Sequence, residues 1–103
     1  MQADFRKDDD GKPRWGGLVR LPAYQTLVNV IARNDAGAAK YGDLNWVNGT
    51  RDRYEDALMR HALALLEGHT DDVIDTPDGS VLLTHADAVI WNTLVLADPR
   101  LTK

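Results

Sequence analysis

Cationic, aromatic and amide side chains crowd into one short stretch, Lys40-Tyr41-Gly42-Asp43-Leu44-Asn45-Trp46, and Arg60-His61, His85 and Asn92 follow it. An ammonium or guanidinium group holds phosphate oxygens, the guanidinium bidentately, while an aromatic face stacks a base. The stretch falls between two expected helices, in a loop, where binding chemistry gathers more often than on helix faces. Lys40, Arg51, Arg53 and Arg60 flank Tyr41 and Trp46. The competing reading makes Trp46 a plug at the end of a helical core and leaves Lys40 in solvent; spacing does not choose between the two.

Asp56 and Arg60 stand four residues apart and Glu67 seven further on, so on a helix all three project along one ridge. Facing a cleft, the carboxylates would hold a metal and Arg60 a phosphate. Facing water, Asp56 and Arg60 would form a surface pair worth at most about 1 kcal/mol. His61 falls on the apolar side with Tyr54 and Leu58, where a lone histidine is more often a hydrogen-bonded core residue than a ligand. His85 and Asn92 share a face of a later helix. Packing that face on the Asp56–Glu67 helix would bring His85 towards His61, and two histidines with a carboxylate make a metal site. Asp71, Asp72, Asp75 and Asp78 form a separate acidic cluster, open either to a divalent cation or to solvent. No HExxH, GxxxxGK[ST], GxSxG or EF-hand pattern is present.

Three helices must position these groups. The first is expected from Pro22, with Tyr24, Leu27, Val28 and Ile31 on one face, a weakening at Asn34-Asp35-Ala36-Gly37, and a stop at Gly42. A loop from Asp43 to Thr50 follows, turning at Asn48-Gly49. Asp52 and Glu55 resemble a capping box for the second helix, Tyr54, Leu58, His61 and Leu65 line its apolar face, and Gly68 stops it. A loop through Asp78-Gly79 then leads to a third helix capped by Ser80, with Leu83, Ala86, Ile90, Leu94 and Ala97 as its stripe and Pro99 as its end. No alternating strand stands out. The expectation is an all-α bundle of three to four helices, in which residues 1–16 form a flexible N-terminal arm and 17–103 a single helical domain.

With 103 residues, 44% of them hydrophobic, the chain makes one modest core. Its apolar stripes exceed what three short helices cover, which predicts a homo-oligomer. A net charge of −4 argues against a nucleic-acid polymer as partner but leaves room for a free nucleotide, which needs only two or three local cations. No apolar run approaches a membrane span, and Met1 to Lys7 contains no signal-like apolar core. The absence of cysteine removes thiol catalysis and zinc-thiolate sites and fits a cytoplasmic location.

From Gly11 to Leu96 the sequence resembles the small phage family of dATP/dGTP diphosphohydrolases. The resemblance rests on Gly11-Lys12-Pro13-Arg14-Trp15, Gly37-Ala38-Ala39-Lys40-Tyr41-Gly42, Asn45-Trp46, Gly49, Tyr54, Asp56-Ala57, Arg60-His61, Gly68, Asp75, His85 and Asn92. That family is allied with MazG-like pyrophosphohydrolases, α-helical oligomers that split nucleoside triphosphates at the α–β bond with Mg²⁺ or Mn²⁺. The resemblance implies an intracellular phage or prophage protein, a nucleotide ligand, and Mg²⁺ or Mn²⁺ as cofactor. The candidate catalytic residues are then Asp56, His61 and His85. The candidate nucleotide-binding residues are Lys40, Tyr41, Asn45, Trp46, Arg60 and Asn92, and the candidate metal ligands Asp56, Glu67 and Asp75. Three departures stand out: His69 follows Gly68 where the family has Glu, Ala88 replaces a second histidine, and the MazG-like carboxylate pairs ExxE and ExxD are missing. Losing metal ligands removes catalysis more readily than nucleotide binding. A diphosphohydrolase and a non-catalytic protein that sequesters a nucleotide immune signal therefore both fit, with a purely structural helical module as a third reading.

Overall fold

The computed structural model describes residues 10–13, 16 and 23–103. Most of the expected N-terminal arm, and the helix start at Pro22, lie outside the described residues. From Ala23 onwards three helices and one β-hairpin follow one another: α1 (Ala23–Tyr41), a 3₁₀ turn (Asn45–Asn48), α2 (Arg51–Leu66), β1 (Asp71–Thr76), β2 (Gly79–Thr84) and α3 (His85–Ala97). The hairpin corrects the all-α expectation.

Helix α1 runs unbroken through Asn34-Asp35-Ala36-Gly37. Burial of Arg33 and Ala36 against the rest of the fold overrides the poor intrinsic propensity there. Gly42, at φ 94°, ends the helix, its N–H donating to the Ala38 carbonyl at 2.8 Å. Leu44 also takes a left-handed conformation, φ 57°, an uncommon choice for a residue with a side chain.

Helix α2 starts after Thr50, two residues before the expected Asp52 cap; the Thr50 hydroxyl donates to the Asp52 carboxylate at 2.5 Å. Its end is a Schellman motif, with His69 N–H on the Ala64 carbonyl at 2.9 Å, Gly68 N–H on Leu65 at 3.1 Å, and Gly68 at φ 87°.

The segment read as a loop ending in a Ser80 cap is instead an antiparallel hairpin turned by Pro77-Asp78, with Asp72 opposite Leu83, Val73 opposite Leu82 and Ile74 opposite Val81. Ser80 lies inside β2 and donates to Asp75 at 2.7 Å. The true cap of α3 is Thr84, which forms a reciprocal capping box with Asp87. This moves the buried face of α3 to Asp87, Ala88, Asn92 and Val95, and leaves Leu94, expected in the core, 57% exposed.

Helix α3 is the central element, packed against α2, α1 and β2. Ala36, Leu83, Ala88, Val95 and Leu101 form the buried apolar core. So small a core gives the buried polar groups beside it, Arg33, Asp87 and Asn92, unusual weight. Tyr24, Leu27, Val28 and Ile31 on α1, and Met59, Leu63 and Leu66 on α2, remain exposed. Among the described residues no helix is long and apolar enough to cross a membrane.

Candidate functional site

A concave cavity of about 680 Å³ lies between the C-terminal half of α1, the 3₁₀ loop, α2 and α3. That volume suits a nucleotide-sized ligand. Lys40, Tyr41, Asn45, Trp46 and Asn92, all expected to contact a nucleotide, line it together with His61. Arg53, Tyr54 and Trp91 complete its cationic and aromatic wall. Arg60 is exposed on α2 and is not among the lining residues.

The aromatic wall is braced by hydrogen bonds. Tyr54 packs edge-on to Trp91, centroids 6.1 Å apart, and its hydroxyl donates to the Trp46 carbonyl at 2.7 Å. Burial pushes the Tyr54 phenol up from its ordinary pKa, which keeps the donor protonated. Trp91 Nε1 donates to Asn34 Oδ1 at 3.2 Å, so α1 also fixes the indole. On the outer side Arg100 stacks over the Trp46 ring at 5.1 Å while paired with Asp98, a pairing that lowers the Asp98 carboxyl to about 2. Lys40 Nζ lies 5.2 Å from the Tyr41 ring centroid, leaving its charge at the rim of the cavity. Asn92 is buried and spends one amide N–H on the Ala88 carbonyl at 2.8 Å.

At the inner end of the cavity His61 meets His85, Nδ1 to Nδ1 at 2.8 Å. Packing of α2 on α3 brings the two rings together. Asp72 of β1 joins them: one donor atom from each of His61, Asp72 and His85 lies within 4.8 Å of the others. Burial pushes the His61 imidazole below its usual value, and the nearby Asp72 carboxylate opposes that shift. The neutral imidazole this favours is the form that binds a metal. One guanidinium, Arg33, stands against two carboxylates, Asp72 and Asp87, which leaves these three groups with a formal deficit of positive charge. A divalent cation matches both the donor set and that deficit. Two imidazoles with one carboxylate suit zinc, iron, nickel and related ions better than magnesium, which prefers oxygen ligands.

Asp56, Glu67 and Asp75 are exposed, and the converging group among the described residues does not include them. Asp56 and Glu67 sit on or just past one helix, eleven residues or roughly 16 Å apart, too far to share one ion. Asp72 stood in the acidic run without being singled out. What marks it is its inward register position on β1, which appears only once the hairpin is recognised. Arg33 carried no sequence signal as a site residue.

A helical frame with an inserted hairpin thus presents an aromatic, cation-rimmed cavity with His61, one member of a converging His/Asp/His group, in its wall. A family model described as dATP/dGTP diphosphohydrolase, N-terminal, matches residues 2–103, and the chain belongs to that family. No curated protein and no solved structure matches it.

Proposed function

We propose that this chain is a metal-dependent hydrolase that splits purine deoxynucleoside triphosphates into the monophosphate and pyrophosphate. The observation that carries this reading is that one cavity joins the Trp46, Tyr54 and Trp91 rings to His61, a member of the converging His/Asp/His group. The rings stack the base, and the charges of Lys40 and Arg53 at the rim draw the anionic ligand into the cavity. His61, Asp72 and His85 hold the cation. When bound, such an ion neutralises phosphate charge and generates a nucleophilic water near neutral pH. The aromatic wall and Asn92 orient the nucleotide so that its phosphates lie towards the histidines.

Incubation with dATP, dGTP, dCTP and dTTP in the presence of Mn²⁺, Zn²⁺, Co²⁺ or Mg²⁺, followed by ion-exchange separation, tests the reading. Purine monophosphate and pyrophosphate are the expected products, with Mg²⁺ supporting the reaction least. Intact nucleotide recovered with every ion, together with tight binding in EDTA, would assign the chain to sequestration instead.

The exposed stripe Tyr24, Leu27, Val28 and Ile31 supports self-association through α1. Sedimentation velocity at micromolar concentration is expected to show a species larger than the monomer, and Ile31→Glu to shift it to the monomer. A concentration-independent monomer for the unmodified chain rules this out.

A further inference from the structure

Arg33 makes three hydrogen bonds through its guanidinium. Its side chain is only 10% exposed, yet it projects from a helix whose exposed stripe lies on another face. Nε donates to Asp87 Oδ1 at 2.5 Å, and Nη2 donates both to Asp72 Oδ2 at 2.8 Å and to the Thr84 carbonyl at 3.1 Å. These three acceptors frame the metal-capable group. Asp72 belongs to it, Thr84 immediately precedes His85, and Asp87 stands two residues beyond.

We infer that Arg33 is the positioning residue of the His61–Asp72–His85 group, holding the Asp72 carboxylate in the arrangement a metal ion requires. The inference rests on the reading of that group as a metal centre. The pair with Asp87 alone would tie α1 to α3. The further bond to Asp72 reaches a different element, and its evident consequence is to fix where that carboxylate points. An ionised carboxylate has lone pairs to spare, so Asp72 can accept from Arg33 and still offer oxygen to a cation. Carboxylate ligands are commonly oriented by an outer hydrogen bond of this kind. The fork of a guanidinium serves two carboxylates in fixed directions; a lysine ammonium, a single point of charge on a flexible stem, does not. Just beyond the β1–β2 ladder a backbone bond reinforces the brace, His85 N–H donating to the Thr70 carbonyl at 3.0 Å.

The test uses Co²⁺ as the probe, read by its visible absorption and by calorimetry. Unmodified protein is compared with Asp72→Asn, Arg33→Lys and Asp87→Asn, each first checked for folding by circular dichroism. Co²⁺ binding by the unmodified chain that His61→Asn does not weaken would remove the metal centre itself, independently of Arg33. Given a centre, Arg33→Lys should lower Co²⁺ affinity by roughly 10–100-fold, the usual effect of losing an outer-sphere partner, and move the spectrum towards that of Asp72→Asn. Asp87→Asn also disturbs the Arg33 pair but leaves the bond to Asp72, and should keep the unmodified spectrum with affinity within about threefold. Wild-type affinity and spectrum in Arg33→Lys, or equal losses in Arg33→Lys and Asp87→Asn, would overturn the proposal. If Arg33→Lys fails to fold, the Arg33 guanidinium ¹⁵N resonances of the unmodified protein decide. They should shift on Zn²⁺ saturation, and signals that stay unmoved would count against it.

Discussion

Replacing His85 or His61 by alanine should abolish metal-supported turnover while leaving nucleotide binding in metal-free buffer within a few-fold of the unmodified chain. The two Nδ1 atoms are 2.8 Å apart and share the centre with a single carboxylate, so either change cuts a three-donor set to two. Loss of an outer-sphere partner costs roughly 10–100-fold in metal affinity or activity, and loss of a direct ligand should exceed that range. Neither ring belongs to the fully buried core, so the variants should fold. The nucleotide would still meet Trp46, Tyr54 and Trp91, which explains why binding and turnover should part company. Steady-state turnover with saturating Mn²⁺ or Zn²⁺, set beside calorimetric binding in EDTA, makes the comparison. Parallel measurements on Asp56→Asn, Glu67→Gln and Asp75→Asn separate the two possible donor sets. Turnover lost only in those variants would move the ion to the surface carboxylates and leave the histidines as a structural pair.

Helices α1 and α2 were legible because their signals are local: apolar residues three and four apart, and glycines at the two left-handed stops, Gly42 and Gly68. The His61–His85 approach was legible as a possibility, because helix faces follow from spacing alone. The hairpin was not, and the reason is physical. On β1 the inward face carries Asp72, Ile74 and Thr76 and the outward face Asp71, Val73 and Asp75, so neither face is uniformly apolar or polar. Val73 and Leu82, paired across the ladder, are 60% and 64% exposed, which erases the alternation by which a strand is usually recognised. Two short cues were present nonetheless: Pro77-Asp78-Gly79 between β-branched residues as a turn, and Thr84-His85-Ala86-Asp87 as a capping box. The stripe through Leu83, Ala86, Ile90, Leu94 and Ala97 draws attention away from Asp87, although spacing places Asn92 with His85 on the face towards α2. On α1 the strongest apolar stripe is exposed while Arg33 faces inward, so hydrophobic periodicity pointed to the opposite face from the one that builds the site.

The same inversion places much of the fold's stability on one acidic side chain. Asp87 is fully buried; its Oδ1 accepts from Arg33 Nε, and its Oδ2 accepts from the Thr84 N–H at 2.6 Å and the Thr84 hydroxyl at 2.8 Å. Asp87→Ala would strand a guanidinium N–H and a helix-cap N–H where water has little access. Breaking one side of a buried ion pair typically costs about 3–5 kcal/mol, and loss of a cap about 0.5–2 kcal/mol. The two penalties share partners and do not add, and Arg33 keeps Asp72, so a loss near 3 kcal/mol is expected. Against a total stability of about 5–15 kcal/mol, that is a large fraction for a domain with so small an apolar core. Thr84→Ala, which removes the cap hydroxyl but leaves the ion pair, should cost only about 1 kcal/mol. Urea denaturation gives both numbers directly, as midpoint shifts at constant slope. If Asp87→Ala proved no worse than Thr84→Ala, Asp87 would serve the helix cap alone and the buried pair with Arg33 would contribute nothing net. A gap of about 2 kcal/mol would instead identify the Arg33–Asp87 pair as what fastens α1 to α3.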